Sequence, residues 1–188
     1  MKILYFDLET TGVKHWKHGI HQIACLVEID GKVVEEINLN VCPHPQAAYE
    51  PDAFKMKSIT PDDCKTYPDM KAVYTKLTKT LQKYVNKFDK KDRFFLCGYN
   101  NAAFDNQFLR AWFEQNGDPY FGSYFWNSPL DVFVLSSDLL KEERASMSEF
   151  NLTAVARHLG IKVDERLTHE ALYDVKLTRQ IYKTLQIL

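Results

Sequence analysis

The chain has no Cys-x-x-Cys pair, no long apolar run, no excess of basic charge and few glycines. Each shortage removes a class of protein. Its four cysteines, Cys25, Cys42, Cys64 and Cys97, are scattered through 188 residues. That excludes a zinc ribbon or a disulfide framework and reads as reduced thiols in a cytoplasmic protein. No stretch approaches the ~20 apolar residues of a membrane span, so no membrane partner is expected. The opening Met-Lys-Ile-Leu-Tyr-Phe-Asp turns acidic too early for a secretory signal. With 24 basic and 25 acidic residues the net charge is −1, which argues against a protein that coats nucleic acid with a broad basic surface. An enzyme that grips a few nucleotides and brings cations of its own is not excluded. Without repeats or low-complexity tracts, residues 1–188 read as one domain, large enough to bury a real core.

What is present centres on Tyr5-Phe6-Asp7-Leu8-Glu9-Thr10-Thr11-Gly12. Lys2 to Phe6 is apolar, β-branched or aromatic, the pattern of a strand buried on both faces. Asp7 and Glu9 follow at its end. In extended chain, side chains two apart point the same way, so these carboxylates stand side by side. Like charges so placed are unfavourable without a cation between them, and paired hard oxygens suit Mg²⁺ or Mn²⁺ better than zinc. A bare Asp-x-Glu is common, and alone it reads equally as a solvated strand end before a turn.

The flanking sequence predicts a mixed α/β order. Runs over 20–29 and 32–41, joined by Asp30-Gly31, predict a hairpin and hence an antiparallel meander with the first strand. Ile37, Leu39 and Val41 alternate with Glu36, Asn38 and Asn40, so the third strand has one solvated face near a sheet edge. Residues 42–68 hold five of the seven prolines and read as a long loop with one helical turn. Helical spacing of Val73, Leu77, Leu81, Tyr84, Val85 and Phe88 predicts a helix over 68–88, with Lys76, Lys79, Lys83 and Lys87 on a solvated face. A short strand over 94–97 leads to a helix burying Phe108, Leu109, Trp112 and Phe113. The aromatic run 120–126 packs on the core. Pro129-Leu130-Asp131 begins another strand-to-helix unit. Asn151 caps a short helix ending at Gly160, and a last helix spans about 170–186. His15, His18 and His21 read as an ordinary loop, in which Trp16, flanked by Lys14 and Lys17, is a candidate for stacking on a terminal base.

Three stretches in order carry a family resemblance. Asp7-Leu8-Glu9-Thr10-Thr11-Gly12, Gly98-Tyr99-Asn100-Asn101-Ala102-Ala103-Phe104-Asp105 and His169-Glu170-Ala171-Leu172-Tyr173-Asp174 resemble the three motifs of the DEDDh 3′–5′ exonucleases, spanning nearly the whole chain. The resemblance implies a ribonuclease H-like fold: a mixed five-stranded sheet flanked by helices, the first strand central. It implies that Asp7, Glu9, Asp105 and Asp174 hold two Mg²⁺, with Mn²⁺ able to substitute, and that His169 is the general base. It places the terminal nucleotide against Leu8, Thr10 and Thr11, with Asn101 shaping the second-motif loop. It brings Lys57, in a segment that carries Lys57-Ser58 where the family has His-Gly, to the substrate groove. Asn100 stands where the family commonly has His.

On a regular helix five positions turn about 140°, so His169 and Asp174 could not face one ion from the same helix. His169 is therefore expected in the loop just before that helix or at its very first residue. The implied reaction releases 5′-mononucleotides from 3′ ends of single-stranded DNA. An exoribonuclease and a non-catalytic adaptor on the same fold are the alternatives, and the four acids tell against the adaptor. The implied partners are single-stranded DNA or RNA 3′ ends and a replisome or repair protein. Because the chain ends just after its last helix, a free-standing enzyme is the expectation.

Overall fold

The computed structural model describes residues 1–55 and 59–187. Five strands, β1 (Lys2–Thr10), β2 (Ile20–Ile29), β3 (Lys32–Asn40), β4 (Phe95–Gly98) and β5 (Leu130–Asp131), form one sheet in the order β3-β2-β1-β4-β5. The first three run antiparallel, while β4 and β5 run parallel to β1. This is the mixed five-stranded α/β sheet with a central first strand that the family resemblance implied. Asp30 and Gly31 both adopt positive φ, 49° and 83°, the primed-turn geometry of a two-residue hairpin.

Side-chain alternation along β1 divides the core. Leu4, Phe6 and Leu8 face α2 (Met70–Leu81) and α3 (Asp105–Gln115), packing with Leu77, Phe108 and Trp112. Ile3 and Tyr5 face α4 (Val132–Leu139), α5 (Leu152–His158) and α6 (Ala171–Leu185), packing with Val155, Val175 and Ile181. Each buried aliphatic or aromatic side chain stabilises the fold by ~1.5–3 kcal/mol. The even and odd residues of one strand therefore fasten opposite layers.

Several boundaries differ from expectation. β1 does not stop at Phe6 but runs to Thr10, because β2 continues to pair with it through Thr10↔Ile20, with a register shift between Glu9 and Thr10. Asp7 and Glu9 thus lie inside the strand. The helix expected over 68–88 is Met70–Leu81, capped by the Asp69 carboxylate on the Lys71 and Ala72 amides. It ends early because the Asn86 and Asp92 side chains accept the Phe88 and Asn86 N–H groups, giving the backbone a non-helical alternative. Phe88, expected inside, is 86% exposed. In the proline-rich segment, a five-residue helix α1 (Pro61–Lys65) carries a Thr60–Asp63 capping box. The fourth strand is set one residue later than expected. Phe108, Leu109, Trp112 and Phe113 are all buried, as are Phe121, Tyr124 and Phe125.

Candidate active site

The site lies where β1 outruns its parallel neighbour. Pairing of β1 with β4 ends at Tyr5↔Cys97, while pairing with β2 continues through Thr10↔Ile20. Beyond Tyr5 the β4 side of β1 is therefore a notch. The Leu8 N–H faces into it and donates to Asp105 Oδ1 at 3.2 Å. Asp105 is the first residue of α3 and is 5% exposed. The second motif's acid is thus fastened to the backbone between the first motif's two acids.

The loop delivering Asp105 is built by Gly98, Asn101 and Asp131. A Cβ on Gly98 would stand 2.7 Å from Asn101 Cβ and 3.1 Å from the Phe6 carbonyl oxygen, so only glycine permits this approach. Asn101 is wholly buried. Its carbonyl accepts the Asn106 N–H at 2.9 Å, and its amide donates to Asn106 Oδ1 at 3.3 Å. It shapes the loop from beneath, with no surface to offer a substrate. Asn100 takes φ 61°, and its N–H and that of Ala102 both donate to the Asp131 carboxylate at 3.0 Å. The same carboxylate accepts the Phe133 N–H at the start of α4. Asp131 is a buried positioning residue that sequence reading passed over. Its signal was an acid directly before an apolar helical run, read only as a strand-to-helix joint.

Burial pushes the Asp105 carboxyl up to about 8, and the charges of Glu9 and Asp131 add to the rise; the Leu8 N–H opposes it. Asp7 and Glu9 are half-buried on the face that carries Ile3 and Tyr5 towards α6. Asp174 lies in the first turn of α6. His169 sits two residues before that helix, exposed, with φ 69°, and its N–H donates to Asp174 Oδ2 at 3.2 Å. That is the loop position the spacing argument required.

Among the described residues, no group of three or more His, Cys, Asp or Glu side chains stands in metal-holding geometry. The chemistry of the donor set nonetheless fits a hard dication. All four acids are oxygen donors, and Asp105 is a carboxyl whose anion is disfavoured by burial and by neighbouring negative charge, two penalties that a cation reverses.

The remaining expected contacts divide. Thr11 is wholly buried: its hydroxyl donates to the Ala48 carbonyl at 2.6 Å and accepts the Gly19 N–H at 2.9 Å, so it fastens the loop after β1 and leaves nothing for a substrate. The Thr10 hydroxyl donates to the Gly12 carbonyl at 2.8 Å. Leu8 is buried and its N–H is taken by Asp105. Trp16 is 72% exposed. Lys57 lies outside the described residues. His18 and His21, read as loop residues, are buried, His21 within β2.

A central strand bearing two acids, with further acids at helix starts on either layer, defines a carboxylate-lined α/β domain. The sequence matches the exonuclease family RNase_T over residues 4–182, and the chain belongs to that family. It is 25% identical over 177 residues to the PolC-type DNA polymerase III of Staphylococcus haemolyticus, covering 94% of this chain and 11% of that protein. It is 26% identical over 178 residues to the Clostridium perfringens enzyme of the same kind, covering 95% and 11%. E. coli Exonuclease I in complex with a dT13 oligonucleotide superposes with a TM-score of 0.75 at 20% identity, covering 99% of this chain and 40% of that one. The zinc-bound complex of the same nuclease with single-stranded DNA gives 0.78 at 20% identity, covering 99% and 40%. The chain thus spans about a tenth of the polymerases and two-fifths of the nuclease. No described helix is long and apolar enough to cross a membrane.

Proposed function

We propose that this chain is a divalent-metal-dependent 3′–5′ exonuclease that removes 5′-mononucleotides from single-stranded DNA. The observation that carries the reading is the Leu8 N–H contact to Asp105. It commits a buried carboxylate to the notch beside Glu9, an arrangement with no structural purpose that an amide would not serve better. Asp7, Glu9, Asp105 and Asp174 would hold two Mg²⁺, or Mn²⁺, whose positive charge would offset the repulsion among these acids. When bound, such ions supply Lewis-acid activation of water and neutralise charge at phosphorus in an in-line displacement.

The protein's own groups do the rest. The His169 imidazole, on the exposed loop before α6, accepts the proton of the attacking water. Asp174 holds the His169 backbone through its carboxylate. Asp131 and Gly98 keep Asp105 at the notch. The choice of DNA is supported by the polymerase relatives and by the oligonucleotide complexes of the structural neighbour. The polymerase relatives likewise support a replication or repair partner.

The deciding experiment is digestion of matched 5′-labelled DNA and RNA oligonucleotides with Mg²⁺, Mn²⁺ or chelator. The expected result is a DNA ladder shortening from the 3′ end, abolished by chelator and by Asp7→Ala. His169→Ala is expected to lower the rate about 10²–10⁴-fold, the scale of a lost general base. A product ladder from the 5′ end, or activity that survives chelation, would overturn the proposal.

A further inference from the structure

The loop between β1 and β2 displays a large aromatic side chain without a packing reason. Trp16 is 72% exposed, and Val13 beside it is 66% exposed. The other two tryptophans lie inward: Trp112 is buried in the core and Trp126 half-buried against Phe95. Leaving an indole in water forfeits the stabilisation its burial would give.

The loop that holds it out is stiff. The Lys14 carbonyl accepts the Lys17 and His18 N–H groups at 2.9 and 2.8 Å, and the Lys14 N–H donates to His18 Nδ1 at 2.9 Å. The buried His18 ring lies so close to Gly12 that a Cβ there would stand 2.6 Å from it. Thr11 fastens the base of the loop through Ala48 and Gly19. A loop with this many internal bonds is pre-organised, so presenting Trp16 costs little further entropy on binding.

Its surroundings continue as an aromatic step. The His15 ring meets Trp16 edge-on at 4.9 Å and Phe108 at 6.2 Å, and Phe108 meets Phe104 at 5.0 Å. The step therefore runs from the surface to the residue preceding Asp105. Lys14 and Lys17, both exposed, flank it. Aromatic faces interleaved with lysines are the surface that a single strand prefers: rings for the bases, ammonium groups for the phosphates.

The reaction geometry fixes which part of the strand reaches it, and this step rests on the proposed exonuclease reading. In an in-line displacement the attacking water and the departing 3′ oxygen lie on opposite sides of phosphorus. His169 stands on the α6 side of the β1 acids, so the departing oxygen and everything 5′ of it leave on the other side, towards the start of α3. The step lies there. We infer that Trp16, supported by His15, is a stacking platform for the bases upstream of the scissile phosphate in a single-stranded substrate, and so sets how tightly longer strands are held.

The test compares the dinucleotide dT2 with the octamer dT8. Trp16→Ala is expected to raise KM for dT8 about tenfold, the scale of one lost base stack, and to raise it at least threefold more for dT8 than for dT2, with kcat for dT8 within about twofold. Trp16→Phe is expected to recover most of the loss. Equal effects on both lengths, or no effect on dT8, would sink the inference. A second measurement does not depend on turnover: dT8 added in chelator should quench tryptophan emission of the parent protein, and the quenched component should be missing from Trp16→Ala. If the parent shortens neither strand, the exonuclease reading fails, and the quenching alone then decides whether the platform stands; identical quenching in both proteins overturns it.

Discussion

The phenolic oxygen of Tyr173 accepts the Asp164 backbone N–H at 2.7 Å, tying the start of the loop that carries His169 to the first turn of α6. The loop's far end is held by the next residue, through Asp174 Oδ2 and the His169 N–H. One turn of helix thus grips both ends of the segment bearing the proposed base. Tyr173→Phe keeps the ring and removes only the acceptor, so kcat is expected to fall about five- to tenfold with KM within twofold. In the background of His169→Ala the same change should cost nothing more, since neighbours acting through one group are not additive. Additive losses in steady-state kinetics would refute the coupling.

Asp105 sets stability against function. Asparagine in its place can still accept the Leu8 N–H but carries no buried charge. In chelator at pH 7.5, Asp105→Asn is expected to melt at the same temperature as the parent or a few degrees higher. Its activity should fall by more than the about 10–100-fold typical of losing an outer metal partner. Its melting temperature should also respond less to added Mg²⁺, because a cation that binds only the native state stabilises it by mass action. A variant that melts lower in chelator would show that the carboxylate is structural.

His18 provides a pH signature. Burial holds its imidazole below the usual histidine value, and Lys14 and Lys17 act in the same direction against Glu50. Nδ1 accepts the Lys14 N–H, so protonation there breaks the loop's central bond. A depressed value means that this stability is fully present above about pH 6.5. It is lost as the pH falls through the folded value. Thermal melts from pH 7.5 to 5 should show the decline, and the Lys14 amide resonance should shift over the same interval. A Lys14 amide that holds its position across that interval would refute it.

Gly98→Ala adds one methyl group that has no place to go. With Asn101 Cβ at 2.7 Å and the Phe6 carbonyl at 3.1 Å, the loop must shift. The expected cost is about 1–3 kcal/mol of stability by denaturant unfolding. The rate should fall as well, because the displaced loop carries Asp105. A stability unchanged within error would contradict the close approach.

Much of this architecture was legible because local signals agreed with the global pattern. The Asp30-Gly31 turn, the alternation of Ile37, Leu39 and Val41, and the helical spacing of Phe108, Leu109, Trp112 and Phe113 each answer to one periodicity. The end of α2 was not legible, since Tyr84, Val85 and Phe88 keep a helical spacing while Asn86 and Asp92 divert the backbone by side-chain bonds across the loop. The extension of β1 through Asp7 and Glu9 was hidden because polarity marks a strand end as readily as a strand entering a cleft. Only pairing with β2 decides between them. Asp131 escaped for a similar reason: its three N–H donors come from residues 29 and 31 positions earlier and two positions later, and no local pattern records that. The likeness of the three motifs, by contrast, named Asp105 and Asp174 without any knowledge of the fold.

The one-sided pairing of β1 beyond Tyr5 also turns its backbone into an instrument. In the notch the Leu8 amide hydrogen is shielded from exchange with water by a carboxylate rather than by a neighbouring strand. Its exchange rate and nitrogen chemical shift therefore report the charge and placement of Asp105 at a single atom. Isotope-labelled protein would show cation arrival there before any nucleotide is added.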